Sequence, residues 1–183
     1  MENKNFKDLG LSNNVLKAIE KLGFHTPSKI QDKVIPFIMD GFDVIGQAQT
    51  GTGKTLAYAS SILSKMNKSK GVKAVILTPT RELALQVSKE FDSLNNNDLN
   101  VLAIFGGSSL EKQITALKKG VDVVVGTPGR IMDLIDRKVL KIDGLEYFVL
   151  DEADEMLNMG FLEDIEYIKK PIFSISSASS RTK

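Results

Sequence analysis

The sequence predicts an α/β fold in which a mostly parallel sheet carries helices on both faces. Short apolar runs rich in β-branched residues recur along the chain and alternate with segments of helical periodicity. Of the 183 residues 42% are apolar, which is enough for a buried core. Because right-handed crossovers make successive strands parallel, repeated βα units build an open sheet that binds ligands at the carboxyl ends of its strands.

Short, strongly apolar runs are the strand candidates. Their lengths and β-branched composition are typical of strands buried in a parallel sheet. They are DVIG (43–46), AVILT (74–78), VLAIF (101–105), VDVVVG (121–126) and EYFVL (146–150).

Helices are predicted from apolar stripes and start signals. Ser12 is a candidate N-cap, and the Pro27-Ser28 pair can start a second helix. The helix after Ser12 would carry Val15, Leu16, Ile19 and Leu22. A later stripe, expected to cover one face of the sheet, comprises Leu83, Val87, Phe91 and Leu94.

Charge and composition exclude several classes of function. With 24 Lys and Arg against 23 Asp and Glu, the net charge of +1 provides no broad basic field, so any nucleic-acid binding must be local. The chain has no cysteine and one histidine, His25, which excludes disulfides and a Cys/His metal cluster. We expect a cytoplasmic protein without a membrane partner, because neither a signal-peptide core nor a run of about 18 apolar residues occurs.

The stretch AQTGTGKT (48–55) predicts a phosphate-binding loop. Gly51 and Gly53 leave backbone N–H groups free to surround phosphate oxygens, Lys54 can reach the β and γ phosphates, and Thr55 can help to hold Mg²⁺. Alanine replaces the usual first glycine and is small enough to be tolerated. The residues predicted to contact the nucleotide are Ala48, Gln49, Thr50, Gly51, Thr52, Gly53, Lys54 and Thr55.

The stretch VLDEAD (149–154) delivers two carboxylates at the end of a predicted strand. Asp151 can hold Mg²⁺ through water, and Glu152 can orient or activate an attacking water. Alone, such residues are usually a solvated helix start. Their pairing with the phosphate loop favours a nucleotide site.

Six motifs in order resemble the N-terminal RecA-like domain of DEAD-box ATP-dependent RNA helicases. The resemblance covers residues 5–168 and implies a RecA-like P-loop nucleotidase that uses ATP and Mg²⁺, with Lys54, Asp151 and Glu152 in catalytic roles. The motifs are GFHTPSKIQ (23–31), AQTGTGKT (48–55), PTREL (79–83), GG (106–107), TPGR (127–130) and DEAD (151–154).

The resemblance also implies that the nucleotide base is recognised. Gln31 matches the residue that pairs with adenine, and an amide can bond adenine N6 and N7 together. Phe6 matches an aromatic residue that stacks on the base. The alternatives are a surface helix residue for Gln31 and a hydrophobic anchor for Phe6.

Three further motifs are expected to bind RNA. PTREL, GG and TPGR each follow a predicted strand, and two of them open a helix, which suits phosphate binding through N–H groups, hydroxyls and arginines. By resemblance they contact the sugar-phosphate backbone of one strand with little sequence preference. Alternatively, TPGR is an ordinary helix start and GG a plain turn. The residues carried over are Thr80, Arg81, Gly106, Gly107, Thr127, Gly129 and Arg130.

The end of the chain departs from the family pattern. Residues 169–183 read KKPIFSISSASSRTK, in which Ser177 and Ala178 begin an imperfect version of the Ser-Ala-Thr motif that couples the ATP and RNA sites. Asp154 is assigned to the same coupling. We therefore expect a helicase ATP-binding domain over 1–170, an atypical tail over 171–183, and no second RecA-like domain.

Two alternatives remain open from the sequence. A free-standing P-loop kinase or nucleotide switch would turn over nucleotide without response to RNA, and it leaves three motifs unexplained. An inactive helicase fragment would not be stabilised by ATP. The preferred hypothesis is a monomeric domain that binds ATP and RNA and needs the second RecA-like domain for activity.

Overall fold

A computed structural model describes residues 5–68, 70–95 and 99–179, with side chains up to residue 170. The chain divides into two compact units. The first comprises Met1–Lys68 and Lys89–Leu99, and the second comprises Ser69–Ser88 and Asn100–Lys183. The predicted boundary at residue 170 falls inside the last helix and stays a prediction.

In the described part of the first unit, all regular secondary structure is helical. A 3₁₀ turn (Phe6–Leu9) precedes α1 (Asn13–Lys21), α2 (Lys29–Met39) and α3 (Lys54–Lys65). The last residues of α4 (Arg81–Leu94) also belong to it.

Both predicted helix starts in this unit are confirmed. Helix α1 begins after Ser12, although the Ser12 side chain makes no capping hydrogen bond. Helix α2 begins after Ser28 with a capping box, in which the side chains of Ser28 and Gln31 each accept from the backbone N–H of the other residue. The predicted stripe of α1 ends earlier than expected, because Leu22 lies beyond the helix and is exposed.

The strand predicted at 43–46 is wrong. These residues have no regular secondary structure and belong to none of the ladders of the sheet. The side chain of Ile45 is fully exposed at 100%. A four-residue apolar run becomes a strand only when a neighbouring strand satisfies its backbone groups and covers its side chains, and the run itself does not specify that neighbour.

The second unit contains a four-stranded parallel sheet, which confirms the other four strand predictions and the α/β class. The strands are β1 (Ala74–Leu77), β2 (Val101–Ile104), β3 (Val123–Gly126) and β4 (Tyr147–Leu150), in the order β2-β3-β1-β4. Helices α5 (Leu110–Lys119), α6 (Pro128–Asp136), α7 (Ala153–Asn158) and α8 (Leu162–Ser179) accompany it, with the start of α4.

The register of the sheet brings the four carboxyl ends level. Leu77 at the end of β1 lies opposite Gly126 and Leu150, and Ile104 at the end of β2 also lies opposite Gly126. Glycine at position 126 allows this close pairing, because a Cβ atom there would overlap the carbonyl oxygen of Ile104. The loops that follow the strands therefore leave from one edge.

One core cluster lies between this sheet and the helices of the second unit. Its fully buried members from the sheet are Val75, Leu77, Ile104 and Val124, and those from the helices are Ile131, Leu134, Met156 and Ile168. In α4, the predicted residues Val87, Phe91 and Leu94 are fully buried, whereas Leu83 is half-buried. No helix in the described part of the chain is both long and apolar enough to cross a membrane.

Candidate functional site

The phosphate loop predicted at 48–55 is a tight turn that leads into α3. Gly51 and Gly53 have φ values of +81° and +87°, in the left-handed region that favours glycine. Gly53 is the N-cap of α3, a helix of 12 residues that begins at Lys54. Lys54 and Thr55 therefore occupy the first turn, where backbone N–H groups lack helical partners and the helix dipole favours anions.

The start of α2 holds this loop from one side. The Gln31 side-chain Nε2 donates to the Gly53 carbonyl over 3.1 Å, and Ser28 Oγ donates to the Thr52 carbonyl over 2.8 Å. Gln31 is only 5% exposed, and a Cβ atom on Gly53 would overlap its amide nitrogen. Gln31 is thus a buried brace of the loop, which contradicts the surface-residue alternative.

Two side chains of the loop bond back onto it. Lys54 Nζ donates to the Ala48 carbonyl over 2.5 Å, and Thr52 Oγ1 donates to the Gln49 carbonyl over 2.7 Å. The ammonium group consequently lies beside the first residue of the motif, whereas Thr50 is exposed in the turn. The loop has a defined local structure, although irregular backbone rather than a strand precedes it.

The two residues predicted to recognise adenine lie in different surroundings. Phe6 is buried, with 3% exposure, and lines a cavity of about 690 Å³ together with Phe24 and His25. The residues that line this cavity do not include Gln31. The burial of Phe6 agrees with the hydrophobic-anchor alternative, and stacking on a base stays a prediction.

At the carboxyl edge of the sheet, the structure brings four predicted motifs together. PTREL follows β1, GG follows β2, TPGR follows β3 and DEAD follows β4. Helix α4 begins at Arg81 and α6 begins at Pro128, which confirms that two of the motifs open helices.

At this edge of the sheet, the guanidinium group of Arg81 lies over the aromatic ring of Phe105. Its guanidinium carbon is 5.1 Å from the centre of the Phe105 ring, which directly precedes Gly106 and Gly107. Gly107 has a φ of +75°, and a Cβ atom there would lie 3.9 Å from an Arg81 terminal nitrogen. Thr80 caps α4, since its hydroxyl accepts from the backbone N–H of Leu83 over 3.2 Å.

Arg130 is held by residues that the sequence analysis did not identify. Its Nη1 donates to Gln113 Oε1 over 3.0 Å and to the Ser108 carbonyl over 3.4 Å. Gln113 is 6% exposed, and its Nε2 donates to the Phe105 carbonyl over 3.1 Å and to Ser108 Oγ over 2.5 Å. One signal existed in the sequence, because Gln113 shares a helix face with Leu110 and Leu117, where a polar residue needs partners.

At the two remaining glycines of the RNA motifs, Gly106 and Gly129, packing does not require the absence of a side chain. A Cβ atom on Gly106 would meet nothing within 4 Å, and one on Gly129 would lie at an ordinary 3.8 Å from an Asp164 oxygen. Thr127 is the N-cap of α6 but makes no side-chain capping bond. Of these positions, Gly106 has open space beside its backbone.

The DEAD motif follows β4 with a buried carboxylate and a strained residue. Asp151 is 7% exposed, and its backbone N–H donates to the Leu77 carbonyl over 2.9 Å, which continues the β1–β4 pairing. Glu152 has φ and ψ of 54° and 51°, in the left-handed region, at a cost of about 1–3 kcal/mol for such a side chain. Asp154 is exposed in the first turn of α7.

The other coupling and metal residues are placed as follows. Ser177 and Ala178 lie within α8, and their side chains fall outside the described set. Thr55 belongs to the first unit and Asp151 to the second. In the described ranges, no group of three or more His, Cys, Asp or Glu side chains is arranged to hold a metal.

A comparison with family models identifies the family. The model described as DEAD/DEAH box helicase matches residues 28–181, which is most of the chain. The chain belongs to the DEAD/DEAH box helicase family. This confirms the resemblance inferred from the six motifs.

Individual DEAD-box relatives agree over nearly the whole chain. It is 51% identical over 169 residues to the ATP-dependent RNA helicase CshA of Listeria monocytogenes, covering 91% of this chain and 32% of that protein. It is 50% identical over 170 residues to "Probable ATP-dependent RNA helicase MJ0669" of Methanocaldococcus jannaschii, covering 92% of this chain and 46% of that protein. The chain therefore spans a third to a half of these helicases.

The fold of a DEAD-box protein also matches. The crystal structure of a DEAD box protein from the hyperthermophile Methanococcus jannaschii superimposes with a TM-score of 0.88 at 49% identity. The match covers 91% of this chain and 46% of that one. The predicted RecA-like α/β fold is confirmed.

Proposed function

We propose that the chain is the N-terminal part of an ATP-dependent RNA helicase, which binds ATP with Mg²⁺ and the sugar-phosphate backbone of one RNA strand. The observation that carries this proposal is that PTREL, GG and TPGR all follow strands ending at the same edge of the sheet. Two arginines in these motifs are held there by neighbouring side chains. Unwinding would need a second RecA-like domain, as expected for a chain that spans part of its relatives.

RNA binding is proposed to rest on phosphate contacts. Arg81 and Arg130 would supply the charge, the glycines would allow the backbone to approach, and Thr80 and Thr127 would offer hydroxyls or N–H groups. No base-reading arrangement is part of this set, so binding should be almost independent of sequence. Discrimination against DNA would come from contacts to 2′-hydroxyls.

ATP binding is proposed to rest on the phosphate loop. The first turn of α3 offers N–H groups and Lys54 offers a positive charge, while Gln31 and Phe6 would recognise the adenine. Gln31 already uses one hydrogen of its amide nitrogen for Gly53. A second hydrogen and a further lone pair on Oε1 remain for a base.

Thr55 and Asp151 are the residues proposed to hold Mg²⁺. The hydroxyl of Thr55 and the carboxylate of Asp151 are oxygen donors, which suit Mg²⁺. This ion usually has one or two protein ligands, and water and substrate phosphates supply the others. The buried Asp151 carboxylate at the end of β4 provides such a donor. When bound, the ion would neutralise charge on the phosphates.

Within hydrolysis, Glu152 would orient the attacking water and Lys54 would bind the transferred phosphate. Coupling to RNA would pass through Asp154, Ser177 and Ala178. The second domain would add arginines on the opposite side of the γ phosphate, and such a residue is worth on the order of 10³ to 10⁵ in rate in related nucleotidases. We further propose a cytoplasmic monomer.

The test is ATP hydrolysis with and without RNA, measured with and without a second helicase domain supplied separately. The chain alone should bind ATP and hydrolyse it barely above background, and the added domain should restore RNA-dependent turnover. RNA-stimulated hydrolysis by the chain alone would overturn the two-domain requirement. A melting temperature unchanged by ATP would instead favour an inactive fragment, because a ligand that binds only the native state must stabilise it.

A further inference from the structure

We propose that Gln113 is a positioning residue for RNA binding, which fixes the guanidinium group of Arg130 so that one edge is presented to a phosphate. This inference rests on the proposed function. It assigns a role to a residue outside the recognised motifs, in the first half of α5.

The Gln113 amide makes three hydrogen bonds, and these determine which way its oxygen and nitrogen point. Its oxygen accepts from Arg130 Nη1, and its nitrogen donates to the Phe105 carbonyl and to Ser108 Oγ. The opposite orientation would place the amide nitrogen against a cation and the oxygen against a carbonyl. Since Gln113 is only 6% exposed, water cannot readily replace these bonds.

These bonds divide the donors of Arg130. A guanidinium carries five N–H groups in a rigid plane, and Nη1 accounts for two of them. Nη1 makes both hydrogen bonds found for this side chain in the described part of the chain, to Gln113 Oε1 over 3.0 Å and to the Ser108 carbonyl over 3.4 Å. Within the described residues, the edge formed by Nε and Nη2 keeps the other three for an anion, and this edge can bind a phosphate through two parallel bonds.

Fixing the side chain has an entropic reason. A free arginine loses rotamer freedom when it binds a phosphate, whereas Arg130 has lost much of that freedom already through Gln113. The loop that contains Gly106 and Gly107 supplies two of the anchors, the Phe105 carbonyl and Ser108. Gln113 thereby links the GG loop to TPGR.

The test is a set of binding measurements with a fluorescently labelled single-stranded oligouridylate at low salt, using the full 183-residue chain. Gln113→Met keeps length and burial but removes the amide. It should weaken RNA binding about three- to tenfold, the range expected for one ordinary hydrogen bond. Gln86→Met changes an exposed glutamine in α4 and should leave affinity unchanged.

Double mutants separate positioning from a general loss of structure. In an Arg130→Ala chain, Gln113→Met should change the RNA affinity less than about twofold, since its effect passes through the missing guanidinium. In an Arg81→Ala chain it should keep its full effect. The same loss in all three backgrounds would overturn the inference. Should Gln113→Met fail to fold, Ser108→Ala removes one anchor and should show the same dependence on Arg130.

Two failures are distinguishable. If Arg130→Ala leaves RNA affinity unchanged, the phosphate contact in the proposed function is wrong, and the inference falls with it. If Arg130→Ala weakens RNA binding and neither Gln113→Met nor Ser108→Ala does, the inference alone is wrong. ATP affinity measured on the same proteins should stay close to that of the unsubstituted chain.

Discussion

Replacement of Gln31 by alanine should lower the stability of the chain before any nucleotide is added. Gln31 is 5% exposed and joins two segments, because its Oε1 accepts from the Ser28 N–H over 2.8 Å and its Nε2 donates to the Gly53 carbonyl over 3.1 Å. Each ordinary hydrogen bond contributes about 0.5–1.5 kcal/mol. Loss of both should therefore lower the free energy of unfolding by about 1–3 kcal/mol.

The assay is thermal and chemical unfolding followed by circular dichroism. For a chain of this size the melting temperature falls by about 2–4 °C for each kcal/mol, so a drop of up to about ten degrees is expected. Gln31→Glu keeps an acceptor for the Ser28 N–H but sets a carboxylate oxygen against the Gly53 carbonyl in a buried site, so its melting temperature should be at or below that of Gln31→Ala. Gln86→Ala, at an exposed position of α4, is the matched control.

The outcome separates two roles of one side chain. If Gln31→Ala and Gln86→Ala melt within a degree of each other, the two hydrogen bonds do not stabilise the loop. Nucleotide selectivity is a separate readout, since ATP should bind more tightly than GTP, CTP or UTP, and Gln31→Ala should narrow that gap. Equal affinities of the unsubstituted chain for all four would refute the adenine assignment.

Further predictions concern backbone geometry and RNA. Gly126→Ala should lower the free energy of unfolding by about 1–3 kcal/mol, because the added Cβ would overlap the β2 backbone. The control is Gly144→Ala, whose added Cβ would lie at an ordinary 3.7 Å from Lys73 Nζ and should not lower stability. Equal melting temperatures of the two variants would contradict this prediction. Glu152→Gly should raise stability by about 1 kcal/mol by relieving a left-handed side chain while removing turnover in the presence of the second domain. The control is Lys138→Gly, at another left-handed position with a φ of 58°, which should stabilise the fold without affecting ATP turnover. Retained ATP turnover in Glu152→Gly would exclude the water-positioning role of Glu152. RNA affinity should fall as salt rises, and Arg81→Ala should weaken binding equally for unrelated sequences; a changed sequence preference would indicate base contacts.

The strands of the sheet were predictable because each apolar run is long enough and β-branched enough to favour an extended, buried segment. The runs at 74–78, 101–105, 121–126 and 146–150 all became strands, each slightly shorter than its run. The run at 43–46 is also apolar and β-branched and did not, with Ile45 fully exposed. Composition indicates the propensity of a segment to form a strand, but backbone pairing with a neighbouring strand decides whether the strand forms.

In the candidate site, the backbone geometry was predictable where it depends on local sequence. Glycines at 51 and 53 could be identified because few other residues adopt their backbone angles. The helix start after Ser28 was predictable because serine is a common N-cap. The helix start at Pro128 was predictable because the proline ring fixes a φ angle that suits the first helical position. Gln113 could not be assigned in this way, since its partners are 5, 8 and 17 residues away along the chain.

The sequence by itself determined the family, the order of the motifs and the chemistry that they offer, because these depend on residue types at short spacing. Only the tertiary structure decided that Gln31 braces Gly53, that Phe6 is buried, that Gln113 holds Arg130 and that Glu152 is left-handed. Each of these depends on contacts or backbone angles set by the packing of distant segments. Packing of this kind satisfies buried polar groups with whatever partners the fold brings near, and local sequence does not specify them.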